Sequence, residues 1–199
     1  MAQAKFNSNS GGFSLTEVVV AMGLLTTVSL GVAQLFAVSA KANQVARGST
    51  STTAMAEQKL EQLRALTWGF DLTGSGLPVS DTSTNLAVDP PDTNGGGLNP
   101  SPQGSLMTNT VGYVDYLDGT GRWIGTGERA PEGTAYVRRW SITPLPTNPN
   151  NTIVLQVLVT PITNDAAREA AAAQGGGGVQ GRRLPGDSLL VSVKTRKSL

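Results

Sequence analysis

The stretch Gly12-Phe13-Ser14-Leu15-Thr16-Glu17-Val18-Val19-Val20-Ala21-Met22 decides how the rest of the chain is read. A Gly closes a short polar leader, MAQAKFNSNSGG, and a Phe opens an apolar run of 24 residues that ends at Phe36. A bilayer core takes about 20 apolar residues as helix, so this run is expected to span a membrane. Glu17 is the one charge between Phe13 and Ala40. A carboxylate at the centre of a membrane helix costs about 2.5–3.5 kcal/mol, so it needs a partner or a role. No Lys or Arg lies within one helical turn of it. A cut after Gly12 would create an α-amine at Phe13, with an ordinary pKa of about 7.7–8.0. Among apolar helices that cation has the right sign to be matched by Glu17 of a neighbouring subunit. A cut after the run is also open, since Val38-Ser39-Ala40 is a small-residue site. Lys5 on one side faces Lys41 and Arg47 on the other, so charge asymmetry leaves orientation close to a tie.

Composition narrows the function. The 199 residues include 24 Gly and 11 Pro, but only 15% are charged and the net charge is +1. That balance argues against a dedicated phosphate-backbone binder. The chain has no Cys, which removes thiol nucleophiles, thiolate metal sites and disulfides. It has no His, the commonest general base near neutral pH. The reading is that the protein is not an enzyme and carries no cofactor or metal.

Beyond the apolar run, Ala56, Leu60, Leu63 and Thr67 share a helical stripe flanked by Met55 and Leu66. Glu57, Lys59, Glu61, Gln62 and Arg64 are expected on the opposite, wet face. Gly48 to Thr53 is a weak helix former, a place for a kink. An unbroken helix from Phe13 to Trp68 would be 56 residues and roughly 84 Å long at 1.5 Å per residue. Residues 69–110 hold 7 Gly and 5 Pro and read as an irregular surface segment with isolated apolar residues. Strand patterns follow: Val111–Leu117 turning through Asp118–Gly121 into Arg122–Ile124, then Tyr136–Ile142, Thr152–Thr160 and Ser188–Arg196. In the last of these, Leu189, Val191 and Val193 are expected to face the core. Asn164–Asp187 breaks the series with an Ala-rich helix and a Gly run, an insertion. Helix, loop, then strands is an α+β order.

The Gly12-Phe13 junction, the Glu at the fifth place after it and the apolar run together resemble the class III leader of type IV pilins and type II secretion pseudopilins. The resemblance implies a prepilin peptidase that cuts between Gly12 and Phe13 and N-methylates Phe13. It also implies that Glu17 registers the subunit among its neighbours. The segments AMAEQKLEQLRALTW, YVRRWSI, VLQVLVTP and SLLVSVKTRKS are similar to those of PilV-type minor pilins and I-type minor pseudopilins. The implied fold is α+β and type IV pilin-like, with the amphipathic half of a long N-terminal helix packed on an antiparallel sheet. The implied function is that of a minor pilin of a type IV pilus, or alternatively a minor pseudopilin of a type II secretion system. A DNA-uptake pilin is a further alternative. Implied partners are the prepilin peptidase, other pilins or pseudopilins, the inner-membrane assembly platform and, before assembly, the lipid bilayer; DNA is not expected. The implied location is single-pass in the inner membrane with the globular part outside, then a surface pilus or periplasmic pseudopilus. The absence of Cys, and of Pro between Phe13 and Trp68, fits a minor rather than a major pilin.

The expected organisation is a leader at 1–12, a filament-core helix at 13–40, an amphipathic half at 41–68, the Gly/Pro-rich region at 69–110 and a sheet at 111–199 with the insertion at 164–187. Two minor signals are read as bland. Asp115 and Asp118 beside Gly119 form a weak Ca²⁺ candidate, with a solvated turn as the simpler reading. Arg138, Arg139, Arg182, Arg183, Lys194, Arg196 and Lys197 are a candidate basic patch, with the wet face of the sheet as the alternative.

Overall fold

The computed structural model describes residues 12–71, 76–173 and 183–198. The expected leader lies outside them except for Gly12, as do Arg182 and the Gly175–Gly178 run. The chain is α+β. Helix α1 runs from Leu15 to Ala65 without a break. Strands β1 (Trp68–Phe70) and β2 (Pro78–Ser80) follow, then β3 (Val114–Leu117), β4 (Trp123–Thr126), β5 (Tyr136–Pro144) and β6 (Thr152–Pro161). Helix α2 (Ile162–Ala173) leads to β7 (Ser188–Thr195) and β8 (Lys197–Ser198). The main sheet has the order β4-β3-β5-β6-β7 and is antiparallel throughout. A small sheet, β2-β1-β8, joins the segment after α1 to the end of the chain. The fold divides into two compact units at Gln44/Val45.

The helix is unbroken through Gly48–Thr53. The hydroxyls of Thr50, Thr52 and Thr53 donate to the carbonyls of Ala46, Gly48 and Ser49, which occupies them inside the helix. From Val45 onward the buried stripe of α1 is Thr52, Ala56, Lys59, Leu60 and Leu63. It packs on Trp140 and Ile142 of β5 and on Ile153, Leu155, Val157 and Val159 of β6. Thr67 lies past the helix end and is exposed. The 69–110 region is more than a surface cover: Leu86, Ala87 and Leu98 enter the same core. Its shape rests on Asp81, whose carboxylate accepts from the Ser83 and Thr84 amides at 3.0 and 2.9 Å and from the Thr84 hydroxyl at 2.6 Å. Gly97, at φ 49°, passes so close that a Cβ would sit 2.4 Å from the Asp81 carbonyl oxygen.

Two expectations about charge are overturned. Lys59 is buried, 2% exposed, with its Nζ 2.8 Å from Asp115 Oδ2, 2.6 Å from the Leu86 carbonyl and 4.6 Å from the Trp140 ring centroid. Arg138 and Arg139 are neither a basic patch nor a wet face, each being 3% exposed. Arg138 clamps Asp115 with two bonds of 2.8 Å on the α1 side of the sheet. Arg139 clamps Asp165 of α2 with two bonds of 2.8 Å on the other side. An Arg-Arg pair on a strand sends one guanidinium to each face, and here each face supplies a carboxylate. Asp115 therefore faces the core, while Asp118 caps the β3–β4 turn by accepting from the amides of Thr120 and Arg122 and the Thr120 hydroxyl. The two do not form a cation site.

Strand β7 is also turned over. Val191 and Val193 are 55% and 58% exposed, while Ser188 and Ser192 are buried. The polar contacts to α1 decide this. Ser188 Oγ lies 3.1 Å from Thr53 Oγ1, Arg64 donates to Ser192 Oγ at 2.8 Å, and Lys194 donates to the Arg64 and Leu66 carbonyls at the end of α1. Arg196 stacks on Trp68, 3.6 Å from the ring centroid.

Burial pulls Lys59 down to about 8, against the pull of Asp115 upward. The unfolded value is 10.5, so the stability linked to this group is fully present above pH 10.5 and is lost as pH falls through 8. The full swing is about 3 kcal/mol. The stability of the native chain relative to Lys59→Met is therefore expected to rise from pH 8 to pH 9.5 in denaturant titrations. A difference that stays flat across that window refutes the shift.

Candidate functional site at the start of the long helix

Gly12, Phe13 and Ser14 precede α1 and adopt no regular structure. Phe13 is 87% exposed, and nothing lies within 4 Å of where a Gly12 side chain would be. Gly12 and Phe13 are thus both accessible. Ser14 begins the helix as its N-cap. The Glu17 amide donates to Ser14 Oγ at 3.2 Å, and the Ser14 amide donates to Glu17 Oε2 at 3.1 Å. This is a capping box, which satisfies two otherwise unpartnered amides reciprocally. Glu17 stands out in the sequence by its charge, whereas Ser14 does so only as the first residue of Ser-x-x-Glu ahead of an apolar run, a legible capping signal.

Past the cap every residue as far as Gln44 is exposed. Leu24, Leu25, Val28, Leu30, Leu35 and Phe36 are each 63–71% exposed. The best 18-residue window of α1 has mean hydropathy 2.0, long and apolar enough to cross a membrane. The apolar residues lie all around the helix, a pattern suited to lipid or to a bundle of other helices. Thr26 and Thr27 return their hydroxyls to the carbonyls of Met22 and Gly23, which lowers their cost in such a medium.

The second concentration of charge, Lys59–Asp115–Arg138, is closed off, with one carboxylate shared by two cations; Arg138 also donates to the Met55 carbonyl at 3.1 Å. It ties α1 to β3 and β5. Among the described residues no group of three or more Asp or Glu converges to hold a metal. Compared with protein-family models, with curated proteins and with solved structures, the chain matches none.

Proposed function

We propose that the chain is a filament subunit of the type IV pilin class, acting as a minor pilin. It is held in the inner membrane by the apolar half of α1, cleaved after Gly12 and N-methylated at Phe13 by a prepilin peptidase. It then joins a filament through that same half-helix. The observation that carries this reading is the accessible Gly12–Phe13 junction, followed by a wholly exposed apolar helix that bears one carboxylate. A minor pseudopilin of a type II secretion system would use the same parts. Uptake of DNA draws less support, since Arg138 and Arg139 are spent inside the fold.

Packing in the filament would rely on van der Waals contact at small residues such as Ala21, Gly23, Gly31 and Ala33, because leaving lipid for other helices adds little hydrophobic gain. Mass spectrometry of the mature chain, isolated from cells that hold its assembly system, is expected to find N-methyl-Phe13 at the amino terminus. A chain that keeps Met1, or one that begins after Ala40, overturns the reading.

A further inference from the structure

The assembly reading leaves unused a groove of about 400 Å³ between α2, the 106–109 segment and the turn after β4. One part of its wall is apolar: Leu106 is half-buried and Met107 stays 46% exposed. The groove also holds two guanidiniums, and both are already matched. Arg139 is clamped by Asp165 and gives two more bonds to Asn109 Oδ1, at 3.0 and 2.6 Å. Arg168 is paired with Asp187. Two carboxylates remain, Glu128 after β4 and Glu169 on α2. Both are exposed, and neither has an ion-pair partner among the described residues.

Charge complementarity then names the occupant. A cation on an aliphatic stem can lay the stem along Met107 and bring its head to the carboxylates. An anion would meet net negative charge, and a purely apolar group would leave the carboxylates beside it poorly hydrated. We propose that this groove docks a lysine or arginine side chain of a neighbouring protein subunit. The source of that side chain rests on the filament reading; the chemistry of the groove does not.

The test uses the full chain in detergent micelles with ¹³C-methyl methionine. Its methionines, Met1, Met22, Met55 and Met107, include one reporter in the groove. The probes are N-acetyl-lysine methylamide and, as the same stem without charge, N-acetyl-norleucine methylamide. The Met107 methyl resonance is expected to move saturably with the lysine compound and to ignore the norleucine compound, while Met55 ignores both. The double variant Glu128→Gln/Glu169→Gln is expected to bind about fivefold more weakly, the upper end for an exposed ion pair. Its unchanged Met55 resonance would report an intact fold. A Met107 signal indifferent to the lysine compound overturns the proposal. So does one that responds equally to norleucine, or equally in the double variant. None of these readouts needs cleavage at Gly12, so their failure would leave the filament reading standing.

Discussion

Asp115→Ala is expected to cost about 3–5 kcal/mol, the usual penalty for removing one partner of a buried ion cluster. The carboxylate is fully buried and is the anion shared by two buried cations, Lys59 at 2.8 Å and Arg138 at 2.8 Å. Without it, two positive charges stay in a core lined by Trp140, Leu60 and Leu63. Domains of this size hold only about 5–15 kcal/mol in total, so the variant loses a large share of its stability. Removing Lys59 instead, as Lys59→Met, leaves a one-to-one Asp115–Arg138 pair and is expected to be far milder. The exposed pair Arg64–Glu61, 49% and 67% exposed, sets the lower end of the scale. Exposed pairs of this kind contribute about 0–1 kcal/mol. Denaturant unfolding followed by tryptophan fluorescence checks the order, since Trp140 sits in the affected core. An Asp115→Ala chain with a native midpoint would show that the cluster does not hold α1 to the sheet.

That cluster also marks where sequence reading stops. The central strands of the main sheet are legible because period-2 patterns in Tyr136–Ile142 and Thr152–Thr160 show which residues share a face, whereas the short β1, β2 and β8 carry no such pattern. The turn at Asp118–Gly121 was legible from its residues. Parity alone does not say which face turns inward. In β7 the choice fell to Ser188 and Ser192, through hydrogen bonds to Thr53 and Arg64 more than a hundred residues away in sequence. Local pattern puts Lys59 on the wet face because its carboxylate, Asp115, comes from a different element. Arg138 and Arg139 looked like a basic surface for the same reason. Long-range pairing of charge is invisible to local pattern, whereas the cap at Ser14 is local and was there to be read. At Gly12 and Phe13 the structure shows exposure, which spacing alone does not give.

Glu17→Gln separates the two jobs that Glu17 can hold. In the isolated chain its carboxylate accepts from the Ser14 amide as half of a capping box. A glutamine amide oxygen can accept the same bond, so the substitution keeps the cap and deletes the charge. In the proposed assembly the carboxylate must also match the α-amine of a neighbour's Phe13 among apolar helices. Magnitudes decide which job governs assembly. Losing a cap costs about 0.5–2 kcal/mol, whereas leaving a buried amine unmatched costs about 3–5 kcal/mol. Glu17→Gln and Glu17→Val are therefore both expected to be cleaved at Gly12 and to remain in the membrane, but to be strongly depleted from sheared filaments. Ser14→Ala removes the hydroxyl that accepts from the Glu17 amide and leaves the charge in place. It is expected to enter filaments nearly as well as the native chain. Immunoblots of membrane and filament fractions read all three variants together. Should Glu17→Gln assemble normally while Glu17→Val fails, Glu17 acts as a helix cap, and register must be set by the packing of the apolar surface from Val18 to Phe36.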